Sequence, residues 1–257
     1  MKNDHWTKSF FGGKDDFYGT VYTAMGTFDK KDTEREIDGV LNLLKPEPNS
    51  HILDWCGGWG RHAIPLAKRG FKVTVLDFSA EYLERAKKYA QQEGVEIETV
   101  CADFRYTPTD IKAHYAVNLF TAGLGYLGEE GDVMALASLF SALKSRATIL
   151  IDTMSLFWIA VNFKENNWNE SPDGKKRYLQ KRTVDFWTNT EIAVNSFQDI
   201  ETKSEDRVNV ELKLYCPADL SRVLKTTGFV PQDLFGGFDG SKFGFNSKRV
   251  VMTAQRP

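Results

Sequence analysis

Ile52-Leu53-Asp54-Trp55-Cys56-Gly57-Gly58-Trp59-Gly60-Arg61 joins an apolar run to a glycine-rich turn, with a helical pattern opening directly behind it. The pattern predicts a short buried strand over His51–Trp55, a helix over residues 61–69 closed by Gly70, and a second strand over residues 72–76. That is a βαβ unit whose first turn can approach a ligand closely, because Gly58 and Gly60 carry no Cβ. Working outward, Ser79 is placed to cap a helix ending near Gly94, and residues 97–101 read as a third strand. Residues 116–120 read as a fourth strand, 132–143 as a helix and 148–152 as a fifth strand. Upstream, Thr33 and Glu36 form a capping-box pair ahead of Ile37, Val40, Leu41 and Leu44, predicting a helix that stops at Pro46 and Pro48. Alternating strands and helices predict a parallel sheet covered on both faces, with ligands at the carboxyl ends of its strands.

Beyond Asp152 the pattern changes. Residues 178–187, 191–200 and 207–215 are rich in Val, Thr and aromatics and are separated by polar turns, which predicts antiparallel strands inserted over the sheet. A helix over 218–227 stopped by Gly228, and strands near Phe229 and over 248–254, complete the chain. With 257 residues, 42% hydrophobic and 26% charged, one α/β domain is expected. Its parts are lid helices at 1–45, a ligand-binding core at 50–153, an antiparallel cover at 154–215, and a closing helix and strands at 216–257. A net charge of -2 gives no field that would gather nucleic acid or acidic lipid. Three separated cysteines without C-x-x-C spacing, no long apolar span and no hydrophobic leader lead us to expect a cytoplasmic protein with no structural metal.

The acids decide what the turn holds. Gly58, Gly60 and Ala63 also satisfy a loose G-x-G-x-x-A dinucleotide fingerprint, but Asp54 just ahead of the turn would repel a pyrophosphate and suit a cationic amino group. Asp77, ending the second strand before Phe78, can accept from both ribose hydroxyls of either ligand class. Asp103, beside Phe104 at the end of the third strand, adds a carboxylate for an adenine amino group and a ring for the purine face. Three acids at three successive strand ends match the amine, ribose and adenine of S-adenosylmethionine, which carries an ammonium group and no phosphate.

These residues resemble the class I S-adenosylmethionine-dependent methyltransferases, whose first motif D-x-G-x-G-x-G appears here as residues 54–60 with Cys56 in the first glycine position. More narrowly, the chain is similar to small bacterial methyltransferases of small-molecule, often amine, acceptors. Its marks are Phe17-Tyr18-Gly19-Thr20-Val21-Tyr22, Gly60-Arg61-His62-Ala63, Leu119-Phe120-Thr121-Ala122-Gly123-Leu124-Gly125-Tyr126, Phe238-Asp239-Gly240 and Ser247-Lys248-Arg249. The resemblance implies a Rossmann-like seven-stranded mixed sheet, helices on both faces, its last strand antiparallel, a helical N-terminal lid and an antiparallel cover bearing the acceptor pocket. It extends the cofactor site to Cys56, Leu119 and Thr121. Two departures are Leu143-Lys144-Ser145-Arg146-Ala147 where relatives carry L-K-P-G-G, and Ala122 in place of a common serine.

A sulfonium methyl is already activated, so alignment and exclusion of water are the main tasks of such a protein. Tyr18, Tyr22 and Tyr126 are the candidates for lining the transfer zone, although core packing would account for each equally well. Phe157, Trp158, Trp168 and Trp187 either form an aromatic acceptor pocket or bury the cover against the core; Arg249 or Asp239 could select an acceptor carboxylate or amine. The basic cluster Lys175-Lys176-Arg177 with Lys181-Arg182 reads as a solvated strand edge, with an RNA contact the alternative. Nitrogen transfer to a small molecule is expected, with oxygen transfer, a non-catalytic cofactor sensor and a dinucleotide oxidoreductase as competitors. The segment 118–121, Asn-Leu-Phe-Thr, lacks the D/N-P-P-Y/F sequence of enzymes that methylate base amino groups.

Overall fold

The computed structural model describes residues 5–12 and 16–257. Three helices come first: α1 (Thr7–Phe10), α2 (Phe17–Ala24) and α3 (Lys30–Leu44). The predicted capping box does not start α3. Asp29 does so, its Oδ1 accepting from the Lys31 and Asp32 amides at 2.7 and 3.2 Å, while Thr33 and Glu36 turn instead toward Arg61 and His62.

The core then alternates as expected: β1 (His51–Trp55), α4 (Ala63–Lys68), β2 (Lys72–Asp77), α5 (Ala80–Gln92), β3 (Glu98–Cys101), β4 (Ala113–Asn118), α6 (Gly128–Ala142) and β5 (Leu143–Met154). Ser79 caps α5, accepting from the Tyr82 amide at 3.3 Å. The fourth strand stops two residues short of its predicted end, because Phe120 and Thr121 take left-handed backbone angles (φ 64° and 58°) that no strand allows. β5 starts five residues earlier than the apolar run suggests.

The cover contains α7 (Leu156–Asn162), β6 (Asn166–Glu170), β7 (Lys176–Asp185), β8 (Thr190–Asp199) and β9 (Glu205–Lys213). Both α7 and β6 lay outside the predicted elements; Asn-Asn-Trp-Asn-Glu has the composition of a loop, and only pairing with β7 makes it a strand. The chain closes with α8 (Pro217–Thr226), β10 (Val230–Phe235) and β11 (Arg249–Gln255).

The main sheet runs β10-β11-β5-β4-β1-β2-β3, with β11 antiparallel to both of its neighbours and the pairs from β5 to β3 parallel. All five residues of β1 are buried because it has helices on both sides. Leu53 and Trp55 face the cluster containing Leu136, Leu139 and Val223, and Ile52 faces the one containing Ile37, Val40 and Leu66. Strand order reverses between β1 and β4, the switch point where such sheets bind ligands. The second sheet, β6-β7-β8-β9, is a purely antiparallel meander. A separate apolar cluster of Phe10, Phe17, Val21, Tyr178, Phe197 and Val210 ties it to the lid helices. Among the described residues no helix is long and apolar enough to cross a membrane.

Candidate active site

The turn after β1 is held by backbone bonds, with the Cys56 and Gly57 amides donating to the Leu76 carbonyl at 2.8 and 3.1 Å. Cys56, Gly58 and Gly60 all have positive φ (65°, 56° and 80°), so the residue in the first glycine position adopts a conformation that favours glycine. Gly57 is needed for a different reason: a Cβ there would lie 2.5 Å from the Asp54 carboxyl group.

Asp54 is 1% exposed, and its Oδ2 has no hydrogen-bond partner. Burial, reinforced by nearby Asp77 and opposed by Arg61, pushes its carboxyl up to about 7. Arg61 lines the same cavity of about 80 Å³ as Asp54. Its Nη1 donates to Thr33 at 2.9 Å and Glu36 at 2.6 Å, while its buried Nη2 is unpartnered. Two residues lining one small cavity thus each hold a buried polar atom without a partner among the described residues, a carboxylate oxygen and a guanidinium nitrogen, a pair complementary to the ammonium and carboxylate of a free amino acid group. The cavity's remaining lining includes Gly58, Leu119, Thr121 and Ala122.

An adjoining cavity of about 280 Å³ is lined by Asp77, Phe78, Asp103, Phe104, Gly123 and Tyr126, with Cys56 on the shared wall. Asp77 ties the glycine turn to the start of α5, its Oδ2 accepting from the Gly58 amide at 3.0 Å and its Oδ1 from the Ser79 amide at 2.9 Å, and each oxygen retains a further lone pair. Burial raises its carboxyl to about 6. Asp103 is engaged in a fork with Arg105 (Nε to Oδ1 3.0 Å, Nη2 to Oδ2 2.5 Å), which holds it below the usual carboxylate range despite partial burial. Phe78 is half-exposed and Phe104 is packed against Trp55 at 5.3 Å. Gly60 lies outside these linings, where a Cβ would meet Ala86 at 3.2 Å; it sets the packing of the turn on α5. Cys56 is a neutral thiol, its pKa raised by burial and the surrounding acids.

Beyond the smallest cavity, under the cover, lies a third space of about 600 Å³. Tyr18 and Tyr126, with Phe120 and Thr121, line both of these cavities, so the expected transfer-zone residues sit at their junction. Tyr22 lines the larger one, its ring 4.5 Å from that of Tyr18. Burial raises the hydroxyl pKa of all three tyrosines, which keeps them protonated. The lid reaches this junction from α2, whose capping Asp16 accepts from Tyr82 and, at 3.1 Å, from Arg85, both on α5.

The expected acceptor residues divide. Trp158 and Arg249 line the large cavity, but Arg249 is already bound to Asp152 (Nε to Oδ1 2.6 Å, Nη2 to Oδ2 2.7 Å). Asp152 also accepts from the Phe120 amide at 2.8 Å, fixing the left-handed turn after β4. Asp239 caps its own surface turn by accepting from the Ser241 amide at 3.0 Å and does not line the cavity. Phe157 packs on Phe243 and Phe245, Trp168 lies under Arg177, and Trp187 is 99% exposed at the β7–β8 turn. An aromatic pocket of four rings is thus reduced to Trp158.

Arg61, Asp152 and Asp132 carry more of the geometry than the sequence reading gave them. Asp132 is fully buried, with its carboxyl raised to about 7 by burial; it accepts from the Gly125 amide at 2.9 Å and from the Tyr215 hydroxyl at 2.6 Å, clamping the loop that ends in Tyr126.

A methyltransferase domain family matches residues 52–146, the segment from β1 into β5. A glycine/sarcosine N-methyltransferase of Halorhodospira halochloris is 29% identical over 151 residues, 58% of this chain and 54% of that protein. A 23S rRNA (uracil(1939)-C(5))-methyltransferase of Alteromonas mediterranea is 43% identical over 63 residues, 24% of this chain and 13% of its own length. The chain therefore spans about half the length of the first of these relatives and much less of the second. Among solved structures, an S-adenosylmethionine-dependent methyltransferase from Clostridium acetobutylicum superposes with a TM-score of 0.78 at 16% identity, covering 93% of this chain and 98% of that one. Residues 52–146 thus match a methyltransferase domain family, and the strand order and glycine turn give the whole chain the fold of the class I S-adenosylmethionine-dependent methyltransferases.

Proposed function

We propose that this protein moves a methyl group from S-adenosylmethionine to an amine nitrogen of a small molecule held beneath the antiparallel cover. The observation that carries the reading is the pair of unpartnered buried atoms, Asp54 Oδ2 and Arg61 Nη2, on two residues that line one cavity. Asp54 would hold the donor's ammonium and Arg61 its carboxylate, with Asp77 on the ribose hydroxyls and Phe78 and Phe104 flanking the adenine. The guanidinium-bound Asp103 would offer its remaining lone pairs to the adenine amino group. When bound, the donor supplies a methyl group on a positively charged sulfur, which needs no further activation.

The chain's own contribution is alignment and exclusion of water. Holding reacting atoms ~3–3.5 Å apart lowers a barrier by roughly 7–11 kcal/mol. Tyr18, Tyr22 and Tyr126 remain protonated phenols, so they orient the acceptor and do not deprotonate it. The cavity's carboxylates are occupied as well: Glu191 by Arg182, Asp152 by Arg249 and Glu36 by Arg61. A hydroxyl acceptor would need a base that this wall does not offer, whereas a neutral amine carries its own lone pair. That favours nitrogen, as does the likeness to a glycine/sarcosine N-methyltransferase. Small molecules are favoured over RNA because three of the five basic residues in the cover's cluster are paired, Lys176 with Asp199, Arg177 with Glu170 and Arg182 with Glu191.

Incubation with methyl-labelled donor and matched panels of amines and alcohols tests the reading, with label expected on amines. Transfer confined to hydroxyl acceptors would remove the nitrogen assignment. Tight donor binding without product from any panel or cell extract would instead mark a non-catalytic binding protein.

A further inference from the structure

We infer that the non-reacting part of the acceptor is neutral and polyhydroxylated, a sugar-like ring or chain, and that it is read by a row of amides on the underside of the cover. The inference rests on the methyl-transfer reading of the same site. Asn167 on β6 pairs in register with Gln180 on β7, and Gln180 with Asn195 on β8. Asn167 Nδ2 donates to Gln180 Oε1 at 3.4 Å, while Gln180 Nε2 donates to Asn195 Oδ1 and to the Tyr178 hydroxyl, both at 3.1 Å. All four side chains line the large cavity, as does Asn169 one pleat further along β6.

Asparagine is depleted in strands, and burying an amide is unfavourable unless its donors and acceptors are satisfied. Asn195 is only 3% exposed, and its amide nitrogen has no partner among the described residues; Asn169 is exposed, so its amide is free to meet a ligand in place of water. The ladder fixes the orientation of each amide and leaves donors and acceptors side by side, the combination that a hydroxyl, itself one donor and two acceptors, can complete.

Charge points the same way. The ionic groups nearest the ladder form closed bidentate pairs: Arg182 with Glu191 (2.8 and 2.6 Å) and Arg249 with Asp152 (2.6 and 2.7 Å). A carboxylate or second ammonium on the acceptor would have to break one of them, whereas a hydroxyl need not. Among the described residues lining this cavity, Lys248 is the one cation without an acidic partner, and it is exposed over the Trp158 ring. Tyr22, Tyr178, Phe120 and Trp158 supply flat apolar surface for the carbon skeleton, and a space of about 600 Å³ far exceeds what glycine would fill.

The test uses the full chain saturated with S-adenosylhomocysteine and titrated calorimetrically with two probes sharing a six-membered ring and one amine, glucosamine and cyclohexylamine. Glucosamine is expected to bind at least about tenfold more tightly. Gln180→Leu and, separately, Asn169→Leu are expected to remove most of that preference, leaving cyclohexylamine and S-adenosylhomocysteine affinities within about twofold of the wild type. Equal affinity for the two probes, including no detectable binding of either, overturns the inference, and so does a preference that survives both substitutions. Failure of the wild type to bind S-adenosylhomocysteine or the donor would instead bring down the methyl-transfer reading.

Discussion

On the function proposed, the donor and acceptor sides of this protein are built on opposite principles. On the donor side, backbone does most of the work: left-handed angles at Cys56, Gly58 and Gly60 and amide bonds to Leu76 shape the turn, and side chains such as Asp54 and Arg61 keep atoms unpaired inside it. On the acceptor side, side chains from β5, β7, β8 and β11 close on one another in ion pairs and amide chains. An unpaired buried charge is costly and waits for a partner; a paired one is content without it. The contrast implies that donor binding should change the protein's electrostatics strongly, and acceptor binding weakly.

The largest expected effect lies where the two sides meet. Asp152 is 2% exposed in its side chain and holds both Arg249 and the turn carrying Phe120 and Thr121. Asp152→Ala would leave Arg249 without its ion partner at 19% exposure and release the Phe120 amide, costing about 3–5 kcal/mol of stability by chemical denaturation. Donor and acceptor affinity are both expected to fall. Intact donor binding in this variant would mean that the β4 turn is held independently, and the boundary between the two sides would be sharper than described.

Asp54 sharpens the contrast on the donor side alone. Losing a charge-assisted hydrogen bond of about 1.5–3 kcal/mol, Asp54→Asn should weaken donor binding by about 10–150-fold in a calorimetric titration. Its effect on the ligand-free protein has the opposite sign. A carboxyl raised to about 7 by burial binds its proton more tightly folded than unfolded, so this group's contribution to stability is most favourable below the ordinary Asp range and is lost as pH rises through about 7. Asp54→Asn is therefore expected to melt above the wild type near pH ~8 when no ligand is present. Donor affinity follows the ionised form and should fall about tenfold from pH ~8 to pH ~6, a slope that the variant flattens. A wild-type affinity independent of pH across this range would contradict the assignment of Asp54 to the ammonium.

How much of this was readable in the chain follows the same division. Residues 51–101 were legible because local signals coincide there: an apolar run, glycines with positive φ, a serine cap and acids at strand ends fall within fifty positions. Asp54 and Asp77 both line the small cavity beside the glycine turn. Local pattern misled where distant partners intervene. Thr33 and Glu36 have the spacing of a capping box, yet Arg61, more than twenty residues away, recruits both. Arg249 reads as a free cation until Asp152, 97 residues earlier, is brought to it. The amide row was invisible because β6 has a loop's composition and its strand character comes from β7. Trp187 was read as either pocket or core on aromatic character alone, and it is neither, because composition does not say which way a hairpin tip points.

That tip supplies the smallest expected effect. Phe186 and Trp187 are 85% and 99% exposed in the turn joining β7 to β8, whose backbone is held by Asp185 accepting from the Trp187 amide at 2.9 Å and from the Thr188 hydroxyl at 2.7 Å. Neither ring contributes buried area, and the bonds that shape the turn come from other groups, so Trp187→Ser should shift the melting temperature by less than about 2 °C. Acceptor KM and kcat should be unchanged, because the ring lies outside the cavity whose polar wall is formed by Asn167, Gln180 and Asn195. A rise in KM with no change in melting would show that the hairpin folds over the cavity mouth when the acceptor binds, making the acceptor side a surface assembled by its ligand.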